Sequence, residues 1–448
     1  MTAEIIIMNS GAVALAADSA LTSSHAGGRE KVFASDNKIF ELTESAQVAV
    51  MNYGAASFMS IPWETVVGEY RRRHGRESFP QLQDYMDAFL RFLKEEMAAE
   101  ISEEKKEDFL VAAADAVFAW MTRIIDEYLE ESTELEGEDN PRVDDLKEKL
   151  ESERQEVAEE MVNAHYQHIQ GLARVSEATE EVVQDAAGIL QRVLPDLFEK
   201  YELDANSGYA KQLEGIANAS IASMTSELAG PEVDISSGIV LAGFGDENLF
   251  PGYINVEIEG IYGGMLKWME REKTQISMPP QASIAGFAQM DTYMLAAGLD
   301  IEYFDLIETL VRESLVEYTR RLVGELTGSK GEELERTVEQ KGDGIESFVE
   351  ELTETIDKFL KMDPGGPIDD ILEVVSVLPK DQLAEVAGAA ISFTSLRRRV
   401  SLETETVGGP TDVAVITKND GLVWVTRKQY FDPGLNPEYL ARMSRRGS

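Results

Sequence analysis

Residues 2–22 read TAEIIIMNSGAVALAADSALT, and their pattern decides the fold class. Two apolar runs rich in strand formers, EIIIM (4–8) and AVALAAD (12–18), flank Asn9-Ser10-Gly11, a turn signal. KIFEL (38–42) and AQVAVMNYG (46–54) extend the same character, so residues 3–60 are expected as strands. From about Ile61 the pattern turns helical, with two helices expected near 61–74 and 80–99.

Outward from there, residues 100–230 are Glu-rich and helical in pattern. Val143, Leu146, Leu150, Val157, Met161, Ala164 and His168 recur at alternating three- and four-residue steps, which predicts a coiled-coil-like seam. EESTELEGEDNP (130–141) before it reads as a solvated loop. His165 and His168 stand one turn apart and would suit a metal pair. With no further His or carboxylate set to complete it, they are read as a polar interruption of the seam. Strand character returns at 236–260 and 282–294, then helices from Glu302 to about Glu325 and over 331–362. The DPGGP loop (363–367) and helices to about Ala390 follow. DVAVIT (412–417) and LVWVT (422–426) around Lys418-Asn419-Asp420-Gly421 predict a closing hairpin. This order suits an α+β chain, two strand-rich sheets with helices on both faces. The expected units are a core in three parts, 1–99, 233–325 and 386–448, with helical insertions at 100–232 and 326–385.

Composition bounds the function. The 448 residues carry 83 acidic against 41 basic side chains, a net charge of -42. Such a surface repels phosphate backbones and anionic lipids, so nucleic-acid and membrane partners are disfavoured. It also suits a salt-rich medium that screens self-repulsion. The absence of Cys rules out disulfides and thiolate chemistry, and four His leave little for a His-based triad or zinc site. MTAEIIIM lacks a basic n-region, and no run approaches the ~20 apolar residues of a membrane span. A cytoplasmic protein without cofactor or metal is expected.

Thr2 carries the chemistry. Its small side chain permits removal of Met1, which would expose a residue owning both a hydroxyl and an α-amine. That amine, with a pKa of about 8, can serve as a base near neutrality. An N-terminal Thr is thus a self-contained nucleophile and base. Asp18 lies sixteen residues later, inside Ala16-Ala17-Asp18-Ser19. Lys38 opens the strand Lys38-Ile39-Phe40-Glu41-Leu42, and Tyr53-Gly54-Ala55-Ala56 is expected as a Gly turn that opens the first helix.

These four features, in this order, resemble the opening of proteasome β-subunits and the bacterial HslV peptidase, in the Ntn-hydrolase superfamily. The resemblance resumes at SSGIVLAGFGDE (236–247), SIAGFAQMDTYMLAAGLD (283–300) and VGGPTDVAVITKNDGLVWVTRKQYF (407–431), covering about half the chain. The resemblance implies an αββα four-layer sandwich carrying two helical insertions. It implies a threonine peptidase that cleaves amide bonds through an acyl-enzyme on Thr2. Lys38 would favour the alkoxide, Asp18 would orient Lys38, and a backbone N–H at Tyr53 or Gly54 would meet the oxyanion. Lys31 is a rival for Lys38, but Lys38 lets Phe33-Ala34-Ser35 align with the family's preceding strand. Peptide or protein substrates, a homo-oligomer in the form of a ring, and an ATPase unfoldase as feeder are implied in the same way. The sequence departs from the family at Val407, where a Ser precedes the paired glycines, and at Thr404, where an Asp falls. The middle-turn Ser is not evident in AGFAQMD. Two further readings stand beside the peptidase: an inactive proteasome-fold scaffold and a small-molecule amidase.

Overall fold

A computed structural model describes residues 3–25, 29–34, 36–45, 47–135, 143–169, 171–229, 235–288, 290, 365–400, 407–429, 431–438 and 441. Thr2, the expected helices at 302–325 and 331–362, the strand end at 291–294, and Thr404 lie outside the described residues.

The chain is a mixed α+β protein whose sheets are antiparallel. Strands β1 (Ala3–Asn9) and β2 (Val13–Ala17) form a hairpin in which Ile5 faces Ala16. Its turn is held by Asn9, whose Oδ1 accepts the Gly11 N–H at 2.9 Å and the Ala12 N–H at 3.3 Å. Between Asp18 and Lys38 runs a second hairpin, β3 (Ala20–His25) and β4 (Arg29–Ala34). Strands β5 (Ile39–Glu41) and β6 (Val48–Gly54) come next, then a small hairpin of β7 (Ser57–Phe58) and β8 (Ile61–Pro62). That hairpin separates the Gly54 turn from helix α1 (Trp63–His74), so the turn does not itself open the helix. Helix α2 (Leu82–Phe92) continues through a π-helical turn at Leu93–Met97.

Later strands complete two sheets: β9 (Ser237–Gly243), β10 (Gly252–Tyr262), β11 (Met265–Gln275), β12 (Ala282–Ala288), β13 (Asp412–Thr417) and β14 (Gly421–Thr426). One sheet runs β12-β1-β2-β13-β14 and the other β11-β10-β9-β6-β5. The closing segment thus pairs with the opening one, with Ala414 across from Leu15. Ile6, Met8, Leu15 and Phe287 of one sheet share a core with Ile39, Met51, Val240 and Tyr253 of the other. Ile5, Ile7, Ala14 and Ala16 face the opposite way, onto helices α8 (Gly365–Val377) and α9 (Lys380–Val400). Val48, Val50, Ile239 and Leu241 pack against Trp63, Tyr70 and Phe89 of α1 and α2. Burial on both faces explains why Ile5-Ile6-Ile7 is an unbroken apolar run; each such side chain contributes about 1.5–3 kcal/mol. Asn9 Nδ2 donates to the Val375 and Leu378 carbonyls, both at 2.9 Å, which fastens the end of α8 to the first turn. At the same end Lys418 Nζ donates to the carbonyls of Gly245, Asp246 and Asn248, joining the β13–β14 turn to the β9–β10 loop.

A helical unit follows α2: α3 (Glu103–Leu135), α4 (Val143–Ile169), α5 (Glu180–Lys200), α6 (Ala210–Ala222) and α7 (Thr225–Ala229). The seam on α4 differs from expectation. Ala158, Val162 and Ile169 are buried, with Val157 and Met161 partly so, whereas Ala164 and His168 are exposed. The cause is that α4 packs against both α3 and α6, so its apolar stripe is turned toward the groove between two partners. At the other end of the chain, α9 begins at Lys380 and runs through the expected boundary at 385/386. Among the described residues, no helix is long and apolar enough to cross a membrane.

Candidate active site

Asp18 follows the last residue of β2, and its carboxylate gathers four donors. Oδ1 accepts the Ala3 N–H at 3.2 Å and Lys38 Nζ at 2.6 Å. Oδ2 accepts the Ala20 N–H at 3.3 Å and the Gly408 N–H at 2.8 Å. The Asp18 N–H in turn donates to the Ala3 carbonyl at 3.1 Å. Asp18 and Lys38 expose only 1% and 4% of their side chains, so this is a buried, charge-assisted pair. Burying two such ions is costly unless the remaining lone pairs find donors. The three backbone amides meet that need, and one of them belongs to Ala3, the residue bonded to Thr2.

The structure brings the candidates Asp18 and Lys38 into direct contact. Lys38 is the lysine paired with Asp18, whereas Lys31 stands opposite Ser23 on the β3–β4 hairpin.

Tyr53 and Gly54 close β6, one strand from Lys38, whose carbonyl accepts the Asn52 N–H at 3.0 Å. The Tyr53 ring stacks on Phe287 with centroids 5.6 Å apart, and its hydroxyl donates to Asn255 Oδ1 at 3.1 Å. Burial pushes the phenol up to about 12, helped by the charges of Glu4 and Glu257. Phe287 is the β12 partner of the fully buried Glu4, and Ala288 that of Ala3. Tyr53 thus flanks the same end of β1 that Asp18 does. Gly54 has φ +74°, and a Cβ there would approach the Ser236 carbonyl to 2.7 Å. Only glycine fits this position without strain.

Sequence reasoning missed three parts of this neighbourhood. The Gly408 amide on Asp18 ties the VGG segment to the site, although Val407 itself is buried. The N–H of Ser19 donates to the Gly408 carbonyl at 3.2 Å, and its hydroxyl donates to the Pro410 carbonyl at 2.5 Å. Asp412 forms a second buried ion pair, with Lys428. The one available signal was the position of Asp412 at the head of DVAVIT.

The His165 ring lies 4.6 Å from Trp120 and 6.2 Å from His168, and burial pulls its pKa down. Among the described residues no group of three or more His, Asp or Glu is arranged to hold a metal. No protein-family model and no curated protein matches the chain.

Proposed function

We propose that the chain is an N-terminal threonine hydrolase of proteasome type, a peptidase cleaving amide bonds through an acyl-enzyme on Thr2. What supports it most is the buried Asp18–Lys38 pair, hydrogen-bonded to the residue next to Thr2. The packing of helices α8 and α9, two antiparallel sheets, then α1 and α2 is compatible with the αββα sandwich of Ntn hydrolases.

In this mechanism Met1 is removed and the freed α-amine takes the proton of the Thr2 hydroxyl as the oxygen attacks the substrate carbonyl. The Lys38 ammonium lowers the cost of the alkoxide, and Asp18 holds Lys38 in place. A backbone N–H at Tyr53 or Gly54 donates to the oxyanion, a class of interaction often contributing about 3–4 kcal/mol. Collapse breaks the C–N bond, the leaving amine takes the proton, and water then hydrolyses the ester. A homo-oligomeric ring in the cytoplasm, fed by an unfoldase, belongs to the same proposal.

The test is intact-mass analysis after exposure to an epoxyketone or boronate inhibitor. An adduct on Thr2 in protein lacking Met1 is expected; an N-terminus that is always Met1, or no adduct, sinks the reading. Val407, buried where the family carries Ser, favours a second reading, an inactive scaffold of the same fold. Thr2→Ala separates the two, because a scaffold would keep every phenotype.

A further inference from the structure

The loop between β9 and β10 aims three carbonyls at one point, and an ammonium of the chain itself stands there. The carbonyl oxygens of Gly245, Asp246 and Asn248 accept from Lys418 Nζ at 2.9, 2.7 and 3.0 Å. Those bonds match the three donors of an ammonium. Among the described residues no carboxylate pairs with Lys418. Its charge is met by backbone dipoles and by the Phe244 ring, whose centroid lies 5.9 Å from Nζ.

The loop takes its shape from other partners. Asn248 Oδ1 accepts the Gly245 and Leu82 N–H groups, both at 3.0 Å, and the Asn248 N–H donates to the Gly245 carbonyl at 3.0 Å. The N–H groups of Asp246 and Glu247 donate to the carbonyls of Phe79 and Pro80, each at 2.9 Å. Asp246 Oδ1 accepts the Tyr85 hydroxyl at 3.0 Å. Helix α2 and the segment before it therefore hold the three carbonyls in place without help from Lys418.

We propose that residues 245–248 form a site for a large monovalent cation, K+ or ammonium, and that Lys418 fills it with a built-in ammonium. Uncharged oxygens at 2.7–3.0 Å suit that class of ion. Ca2+ draws its oxygens to about 2.3–2.6 Å and Mg2+ to about 2.0–2.1 Å, usually with carboxylates among them. Carbonyls that replace a hydration shell are the means by which K+ is held elsewhere in proteins. A cavity of about 420 Å³ adjoins the site, lined among others by Glu44, Gln47, Arg76, Glu77, Asp246 and Lys418. Arg76 is paired with Glu44, so the remaining carboxylates of its wall favour an entering cation. Because site and ammonium belong to one chain, no free ion competes at ordinary concentrations. The proposal does not depend on chemistry at Thr2.

The experiment is thermal unfolding of the full chain, wild type and Lys418→Ala, in chloride salts of K+, ammonium and N-methylglucamine at equal ionic strength. Lys418→Ala empties the position of Nζ and leaves room for an ion with its water. Its Tm is expected to be lowest in N-methylglucamine and to climb saturably, by about 2–4 °C, as K+ or ammonium replaces that ion. Wild type, with the position filled, should shift by less than about 1 °C among the three salts. The carbonyl 13C signals of Gly245, Asp246 and Asn248 should move with K+ in the variant alone. A variant equally stable in K+ and N-methylglucamine overturns the proposal. So does a wild type that responds as strongly as the variant, since the ion would then act elsewhere. Stabilisation of the variant by Ca2+ and not by K+ overturns the class of ion. If Lys418→Ala does not fold, Lys418→Met carries the same comparison, because its methyl group ends near the lysine Cε and leaves the Nζ position open.

Discussion

Lys267 and Glu259 form an ion pair in which both side chains are fully buried. Lys267 Nζ also donates to the Ser220 carbonyl at 2.6 Å and to Thr225 Oγ1 at 2.9 Å. Glu259 accepts the Thr225 N–H at 2.5 Å and its hydroxyl at 2.8 Å. The pair comes from β10 and β11, and its other partners from the α6–α7 junction. A fully satisfied network therefore fixes the helical unit onto the second sheet.

Removing one partner leaves an uncompensated buried charge. Lys267→Met is expected to cost about 3–5 kcal/mol, and Lys267→Met with Glu259→Leu should recover much of that loss. Urea unfolding of the three proteins checks this. A single variant as stable as wild type would show that the pair contributes nothing.

Asp18→Asn keeps the shape of the carboxylate but removes the charge that faces Lys38. On the proposed mechanism it slows inhibitor adduct formation by about a hundredfold or more, since Lys38 loses its orienting partner. Stability should fall as well, by about 3–5 kcal/mol, because Lys38 is left buried beside a neutral amide. Adduct kinetics and thermal unfolding on the same sample measure both; unchanged kinetics would remove Lys38 from the chemistry.

Gly238 lies under the Tyr53 ring, and a Cβ there would come within 1.9 Å of the ring carbon bearing the hydroxyl. Gly238→Ala must push that ring off Phe287 or shift β9 against β6. Overpacking of this kind costs about 1–3 kcal/mol. Near-ultraviolet circular dichroism, which reports aromatic packing, should change with it. A variant matching wild type in both would mean that the ring has room to move.

His74 is partly exposed, and its ring nitrogens meet Glu77 at 2.8 Å and Glu96 at 2.6 Å. Burial pulls its pKa down, but the two carboxylates outweigh this and the net shift is upward from 6.5. Because the folded state holds the proton more tightly, the stabilisation is fully present below the unfolded pKa. It is lost as pH rises through the folded one. Wild type should exceed His74→Gln in stability more at pH 5.5 than at pH 8.5. An equal difference at both values would sink this assignment.

The legible parts of the fold were those whose burial leaves a mark in sequence. The unbroken Ile5-Ile6-Ile7 run and the Asn9-Ser10-Gly11 turn became β1, the turn and β2. The DVAVIT and LVWVT segments became β13 and β14. Strand β11, MLKWMEREKTQ, escaped notice because it is an edge strand whose later half is exposed and charged. The seam on α4 was misplaced by one residue because periodicity reveals that a stripe exists but not how many helices face it. At the candidate site, Asp18 and Lys38 were singled out by the resemblance of their segments to a known family, and the structure pairs them. Asp412–Lys428 and Lys267–Glu259 were not, since a buried ion pair is made by tertiary contact and its members look like any surface charge.

The Lys418 ammonium occupies three carbonyls of the β9–β10 loop at the end of the sheets away from Asp18. That contact works like a clasp on one edge of a book. The Asp18–Lys38 pair and the Tyr53–Phe287 stack clasp the opposite edge. The two leaves are therefore held at both margins, and the apolar pages between them are closed to water from either side.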